Sequence, residues 1–193
     1  MPDPDNGRRG VKKLPPTCIK PGDACWPRLL AVRLGTSAPS QLSALGNLEL
    51  LALPKTAPFC SARCPGDVIL TAYDHAARWR DAGRCMIGGF HSPIEKECLR
   101  ILLRGRQPIV ICPARAMESM RIPIECRAAF DSGRILFLSQ FVDLPVRVTK
   151  ESAFPRNEMV AALADDVYVA HVSPGGQTEA VVKRLEQWEI PRI

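Results

Sequence analysis

The chain has 193 residues, 26 Lys and Arg against 20 Asp and Glu, and a formal charge of +6. With 46% apolar residues it can bury the core of one domain, yet no apolar run approaches the roughly 20 residues that a membrane span needs. The polar, basic start has no apolar stretch of the secretory kind, so the chain reads as cytoplasmic and without a membrane partner.

Residues 1–24, rich in Pro, Gly and Lys/Arg, read as a flexible basic arm. Residues 25–53 read as a helical lead-in. Apolar residues between Trp26 and Leu45 fall at irregular spacing, suggesting one or two short helices, and Gly46-Asn47 turns the chain into one more helical turn at 48–53. From 54 to 193 the pattern becomes regular. Strands are expected at 56–61, 84–89, 108–112, 135–139 and 167–172, and helices at 67–82, 92–104, 123–131, 157–164 and 176–188. The helix at 67–82 carries Ile69, Ala72, Ala76 and Trp79 on one stripe, with Gly83 as its stop. Pro108-Ile-Val-Ile-Cys112 is apolar throughout, as a strand buried on both faces should be. Strands alternating with helices imply βαβ units. The expected fold class is therefore α/β: a Rossmann-like three-layer fold with a mostly parallel sheet of five or six strands and helices on both faces.

In such sheets ligands bind at the C-terminal ends of the strands. That rule gathers the loops at 61–66, 88–92, 113–117, after 139, and 173–178 into one candidate site. At Gly88-Gly89-Phe90-His91-Ser92-Pro93-Ile94-Glu95 a glycine turn enters a helix; Ser92 and Glu95 form a capping box and Pro93 suits the first helical position. At Ser173-Pro174-Gly175-Gly176-Gln177-Thr178 two glycines again precede a helix. Helix N-termini offer N–H groups and positive potential to an anion, and both junctions are expected to hold phosphates. Arg63, Lys96, Arg115, Arg121 and Arg156 are candidate counter-charges, since a guanidinium fork matches phosphate oxygens. Ser61, His91 and Asn157 complete the candidate set.

Several chemistries are disfavoured. No Gly-x-x-x-x-Gly-Lys-Ser/Thr, strict Gly-x-Gly-x-x-Gly or Gly-x-Ser-x-Gly occurs. Eight cysteines raise disulfides or zinc, but a reducing cytosol argues against the first. Cys60-x-x-x-Cys64 is the one close pair, and nothing completes a tetrahedral set. No metal, no other cofactor and no catalytic residue is assigned.

Over residues 26–188 the chain resembles the DNA-processing protein A (DprA/Smf) family. Leu45-Gly46-Asn47-Leu48-Glu49-Leu50-Leu51 and Pro54 are similar to that family's approach to its first core strand, and Cys60-Ser61-Ala62-Arg63 to its Gly-Ser-Arg loop. Gly88 to Glu95, and Phe154-Pro155-Arg156-Asn157 followed by Val160 to Asp165, stand where it has two further motifs. Glu158 stands where an arginine is usual. The resemblance implies a binding module for single-stranded DNA acting in DNA uptake, recombination or processing, with RecA as a candidate partner and a homodimer as a candidate assembly. A wider resemblance competes with it. Pro174-Gly175-Gly176 with Thr178-Glu179 looks like the loop of LOG-type phosphoribohydrolases, which implies a small-nucleotide binder or a nucleoside-monophosphate hydrolase, with Glu179 displaced from the catalytic spacing. A third reading is an interaction protein whose ligand site is vestigial.

Overall fold

The computed structural model describes residues 15–118, 120–142 and 150–193. Residues 1–14, most of the expected arm, and 143–149, part of the expected loop after 139, lie outside that description. The described elements run β1 (Thr17–Ile19), α1 (Arg28–Leu34), β2 (Leu42–Gly46), β3 (Lys55–Cys60), α2 (Gly66–Asp81), β4 (Cys85–Gly88), α3 (Pro93–Leu103), β5 (Ile109–Ile111), α4 (Arg127–Asp131), β6 (Ile135–Ser139), α5 (Lys150–Leu163), β7 (Asp166–His171) and α6 (Gln177–Gln187). No described helix is long and apolar enough to cross a membrane.

The strands form one seven-stranded sheet in the order β1-β2-β6-β5-β4-β3-β7. From β6 to β7 all pairs are parallel, whereas β1 and β2 add an antiparallel edge. The sheet therefore exceeds the expected five or six strands. β1 lies inside the stretch read as an arm, and β2 replaces helix at 42–45. Leu42, Ser43, Ala44 and Leu45 are all buried, so β2 shows no polar alternation, and a short apolar run does not distinguish strand from helix. α5 starts at Lys150, seven residues before the expectation of 157, and carries Pro155 inside it. Proline usually marks a helix boundary, which is why the sequence suggests a later start.

Central strands are buried on both faces, with Met86, Ile87, Ile109, Val110, Ile135 and Leu136 at 0% exposure. Ile87, Val110 and Leu136 meet Leu30 of α1, Met159 and Val160 of α5, and Val181 and Leu185 of α6. Met86, Ile109 and Ile135 face Ala72, Ala76 and Trp79 of α2, Ile94, Cys98 and Leu102 of α3, and Ala129 of α4. This is the expected three-layer arrangement. Arg33 of α1 clamps the end of α5 by donating to the carbonyls of Ala162 (3.0 Å) and Ala164 (2.6 Å).

Chain order explains where a ligand site falls. β3, β4, β5 and β6 step across the sheet in one direction, and α5 then returns the chain to place β7 on the other side of β3. The order reverses at β3/β7, and such a switch point opens a crevice above the strand ends. The β3–β4 ladder ends at Thr56 and Met86, and Pro58 beyond it supplies no N–H. β3 and β4 are thus unzipped at the same edge.

The turn from β2 is the tightest joint of the antiparallel edge. Gly46 has φ +120°, and a Cβ there would collide with the Ile135 carbonyl, while Asn47 donates its side-chain amide to Gly133 O at 3.0 Å. Gly46→Ala is expected to destabilise the fold by about 1–3 kcal/mol, from backbone strain plus the lost close approach. A denaturant midpoint shift measures it, and an unchanged midpoint would refute the role of this turn.

Candidate functional site

A cavity of about 670 Å³ lies at the β3/β7 switch point. Ser61 and Arg63 after β3, His91 and Ser92 after β4, Arg156 and Asn157 of α5, and Gly175, Gly176 and Thr178 around the start of α6 all line it. Five candidates lie elsewhere. Gly88 ends β4, and its carbonyl receives the Cys112 N–H at 2.8 Å. Gly89 and Lys96 line a separate hollow of about 230 Å³ on the α3 side. Arg115 sits after β5, with its carbonyl accepting from the Ser139 hydroxyl at 2.7 Å. Arg121 is exposed and lines neither space. For Arg115 and Arg121 the reason is topological: the loop after β5 stands further from the switch point.

Glu95 ties the site together. Its Oε1 accepts the Cys60 N–H at 3.4 Å, and its Oε2 accepts the N–H groups of His91 (2.9 Å) and Ser92 (3.3 Å). In return Ser92 Oγ accepts the Glu95 N–H at 3.2 Å, completing the capping box. One carboxylate thus bridges the unzipped ends of β3 and β4. This corrects the expectation that the 88–92 junction offers free N–H groups to phosphate. The same box that starts the helix consumes those donors and places a negative charge among them. The second junction is corrected in part. Gly175 N–H donates to Glu179 Oε2 at 2.7 Å, and Gly176 N–H to Ser173 O at 3.1 Å. Gly176 caps α6 with no side chain, and Glu179 places a carboxylate in the first turn of that helix, as Glu95 does in α3.

Arg156 is the dominant charge. It is only 4% exposed; Nη1 donates to Cys112 O at 3.2 Å and Nε to Asn157 Oδ1 at 2.8 Å. Burial lowers its pKa, while Glu95 and Cys112 act the other way. Among the described residues it forms no ion pair. Its guanidinium lies against Gly89, where any Cβ would overlap it. A glycine at this position leaves room for the arginine. Glu158, the residue standing where an arginine is usual, pairs with Arg184 at 2.7 Å across α5 and α6 and does not line the cavity.

The two flanking loops are stitched together as well. Ser61 Oγ accepts the Ser173 N–H at 2.9 Å, and Ser173 Oγ donates to Arg63 O at 3.3 Å. Glu95 and Ser173 are the residues that the sequence reading missed. Glu95 was recognisable as a helix cap, but its reach to Cys60 is a contact across 35 positions of sequence. Among the described residues no group of three or more His, Cys, Asp or Glu could hold a metal ion.

Glu95→Ala removes the acceptor of three N–H groups and is expected to lower stability by about 2–4 kcal/mol, with Glu95→Gln intermediate. Circular-dichroism melting measures both, and equal stabilities would refute the bridging role. His91 supplies a pH signature. Burial first, then Arg156 and Lys96, hold its pKa below the ordinary 6.5, against Glu95. The unfolded chain therefore takes up the proton first on acidification. Its contribution is full above pH 6.5, declines as the pH falls toward the folded-state value, then levels off. His91→Gln should remove that part of the stability-versus-pH slope in urea titrations.

No protein-family model matches the sequence, and no curated protein matches it. Solved structures do. DNA processing protein A (DprA) from Streptococcus pneumoniae superposes with a TM-score of 0.75 at 19% identity, covering 91% of this chain and 61% of that one. DNA processing protein A from Helicobacter pylori, whose structure addresses its single-stranded DNA binding mode, gives 0.73 at 15% identity, covering 92% and 79%. The chain thus spans about 61% of the length of the pneumococcal protein. At these identities the likeness concerns architecture, and this chain has the Rossmann-like fold of DNA processing protein A.

Proposed function

We propose that the cavity binds single-stranded DNA through its phosphates, in a DprA-type module that is not a catalyst. The observation that carries this reading is Arg156, a cation withdrawn from water, lining a cavity, with no ion-pair partner among the described residues. A buried charge without a direct ion pair, eased only by the more distant attraction of Glu95, is costly, and an anion entering the cavity offsets that cost. Arg63 at the rim adds attraction, whereas Glu95 is already engaged by three N–H groups. The fold likeness to the H. pylori protein supports the choice of single-stranded DNA. Within this reading the chain acts in DNA uptake or recombination, and RecA is the protein that would receive the bound strand.

A small nucleotide is the second reading, favoured by the cavity volume of about 670 Å³, which suits a small-molecule site. Hydrolysis of that nucleotide has less support. Glu179 holds the Gly175 N–H, pairs with Lys183 at 3.9 Å, and does not line the cavity.

Fluorescence anisotropy with labelled oligo-dT at low and moderate salt, with duplex competitor, tests the proposal. Binding should weaken steeply with salt, because each neutralised phosphate releases counterions. Arg63→Gln should reduce the salt slope by about one. Arg156→Gln, checked for folding, should lower affinity at least about tenfold on every sequence, as expected for a charged contact at roughly 1.5–3 kcal/mol. A bound phosphate favours protonated His91, so affinity should also rise as the pH falls below 6.5, and His91→Gln should abolish that rise. Absence of binding at low salt, with tight binding of a mononucleotide, would transfer the site to the second reading.

A further inference from the structure

We propose that the N-terminal edge of the parallel strands, opposite the cavity, carries an arginine ledge that binds the phosphate backbone of a nucleic-acid duplex without reading its bases. The first sign is in the sequence. The glycine just past each of α2, α3 and α4 is followed at once by arginine: Gly83-Arg84, Gly105-Arg106 and Gly133-Arg134. These three junctions feed β4, β5 and β6, which lie side by side and parallel. Met86, Ile109 and Ile135 stand level in the ladder, and Arg84, Arg106 and Arg134 precede that level by two, three and one residues. With neighbouring strands ~4.8 Å apart, the three arginine-bearing turns share an edge about 10 Å wide.

Arg78, Arg80 and Arg104 join them from the helix ends. Residues 78–84, 104–107 and 131–134 hold six arginines, no lysine and two carboxylates, Asp81 and Asp131. The turns touch one another: Arg80 packs along Gly105, where a Cβ would collide with its Cγ, and Arg134 Nη1 donates to Gln107 O at 3.1 Å. Ion pairs engage only part of this charge. Arg80 holds Asp81 at 2.7 Å, and Arg84 holds Asp166 at 2.6 Å. Arg78, Arg104 and Arg106 are exposed, and among the described residues their side chains make no hydrogen bond or ion pair.

An arginine in a last helical turn answers the helix dipole, which accounts for Arg78 and Arg80. It does not account for Arg84, Arg106 and Arg134, which lie beyond the stop glycines. Guanidinium forks match phosphate oxygens, and this edge uses arginine alone. The single aromatic in these segments is Trp79, which is 5% exposed, so no ring is offered for stacking on a base. What remains to be recognised is backbone charge, which a duplex presents at twice the density of one strand. Ledge and cavity lie at opposite ends of the strands, and the ledge does not depend on which ligand the cavity takes.

The test follows the anisotropy of a labelled DNA duplex with the full chain as salt is raised. Arg104→Gln/Arg106→Gln removes two exposed guanidiniums that hold nothing in the fold. It should lower the salt slope by about 2 and the low-salt affinity at least about tenfold. Arg156→Gln, and the control Lys20→Gln/Arg28→Gln at two exposed cations before and at the start of α1, should each leave duplex affinity within about threefold. No duplex binding at low salt, an equal loss in the control pair, or poly-glutamate competing as well as duplex per unit charge would each overturn the proposal. Loss with Arg156→Gln would place the duplex in the cavity and overturn the ledge alone. Failure of oligo-dT to bind, with the duplex results intact, would overturn the cavity reading alone.

Discussion

The Glu95 carboxylate is the constraint on which the site depends. Two central parallel strands normally hold each other by a continuous ladder, yet β3 and β4 stop pairing at Thr56 and Met86. Pro58 removes one donor from β3, and the Cys60 N–H two residues on would be orphaned at the edge of the core. Glu95 reaches from the first turn of α3 to accept it, while also accepting from His91 and Ser92. A helix cap has become a cross-strand tie. The strand ends can therefore separate into a crevice without leaving their backbone groups unsatisfied.

That tie also sets the electrostatics. A carboxylate in the first turn opposes the positive end of α3 and occupies the His91 and Ser92 N–H groups. Arg156 supplies the positive charge instead, buried beneath Gly89 and held by Cys112 O and Asn157. The positive charge at the cavity is thus a fixed guanidinium on α5, with Arg63 at the rim. Burial first, then Arg156 and Lys96, lower the His91 pKa. In the proposed complex an anionic ligand would act against that lowering, coupling binding to pH.

The parallel core was legible because its signals are local. The capping box at Ser92, the glycine stop at Gly83 and the apolar run at 109–111 each act within a few residues, and all three appear in the structure. The antiparallel edge was not. β2 is buried on both faces, and its strand identity comes from partners β1 and β6, distant in sequence. The length of α5 was hidden by Pro155, because a local helix-breaking rule gave way to packing against α1 and the sheet.

For the site, the residue types at the β3 and β7 loops and the Phe154-Pro155-Arg156-Asn157 segment could be read from the chain, since strand ends and glycine turns announce themselves. Local sequence determined which segments become strands, which loops reach the C-terminal edge, and that Glu95 caps a helix. Only the tertiary structure decided that β7 returns to the far side of β3, that Arg156 is buried beneath Gly89, and that Glu95 holds Cys60. Those three depend on which distant segments become neighbours, and a hydrogen bond or a buried charge has no signature until its partner is in place.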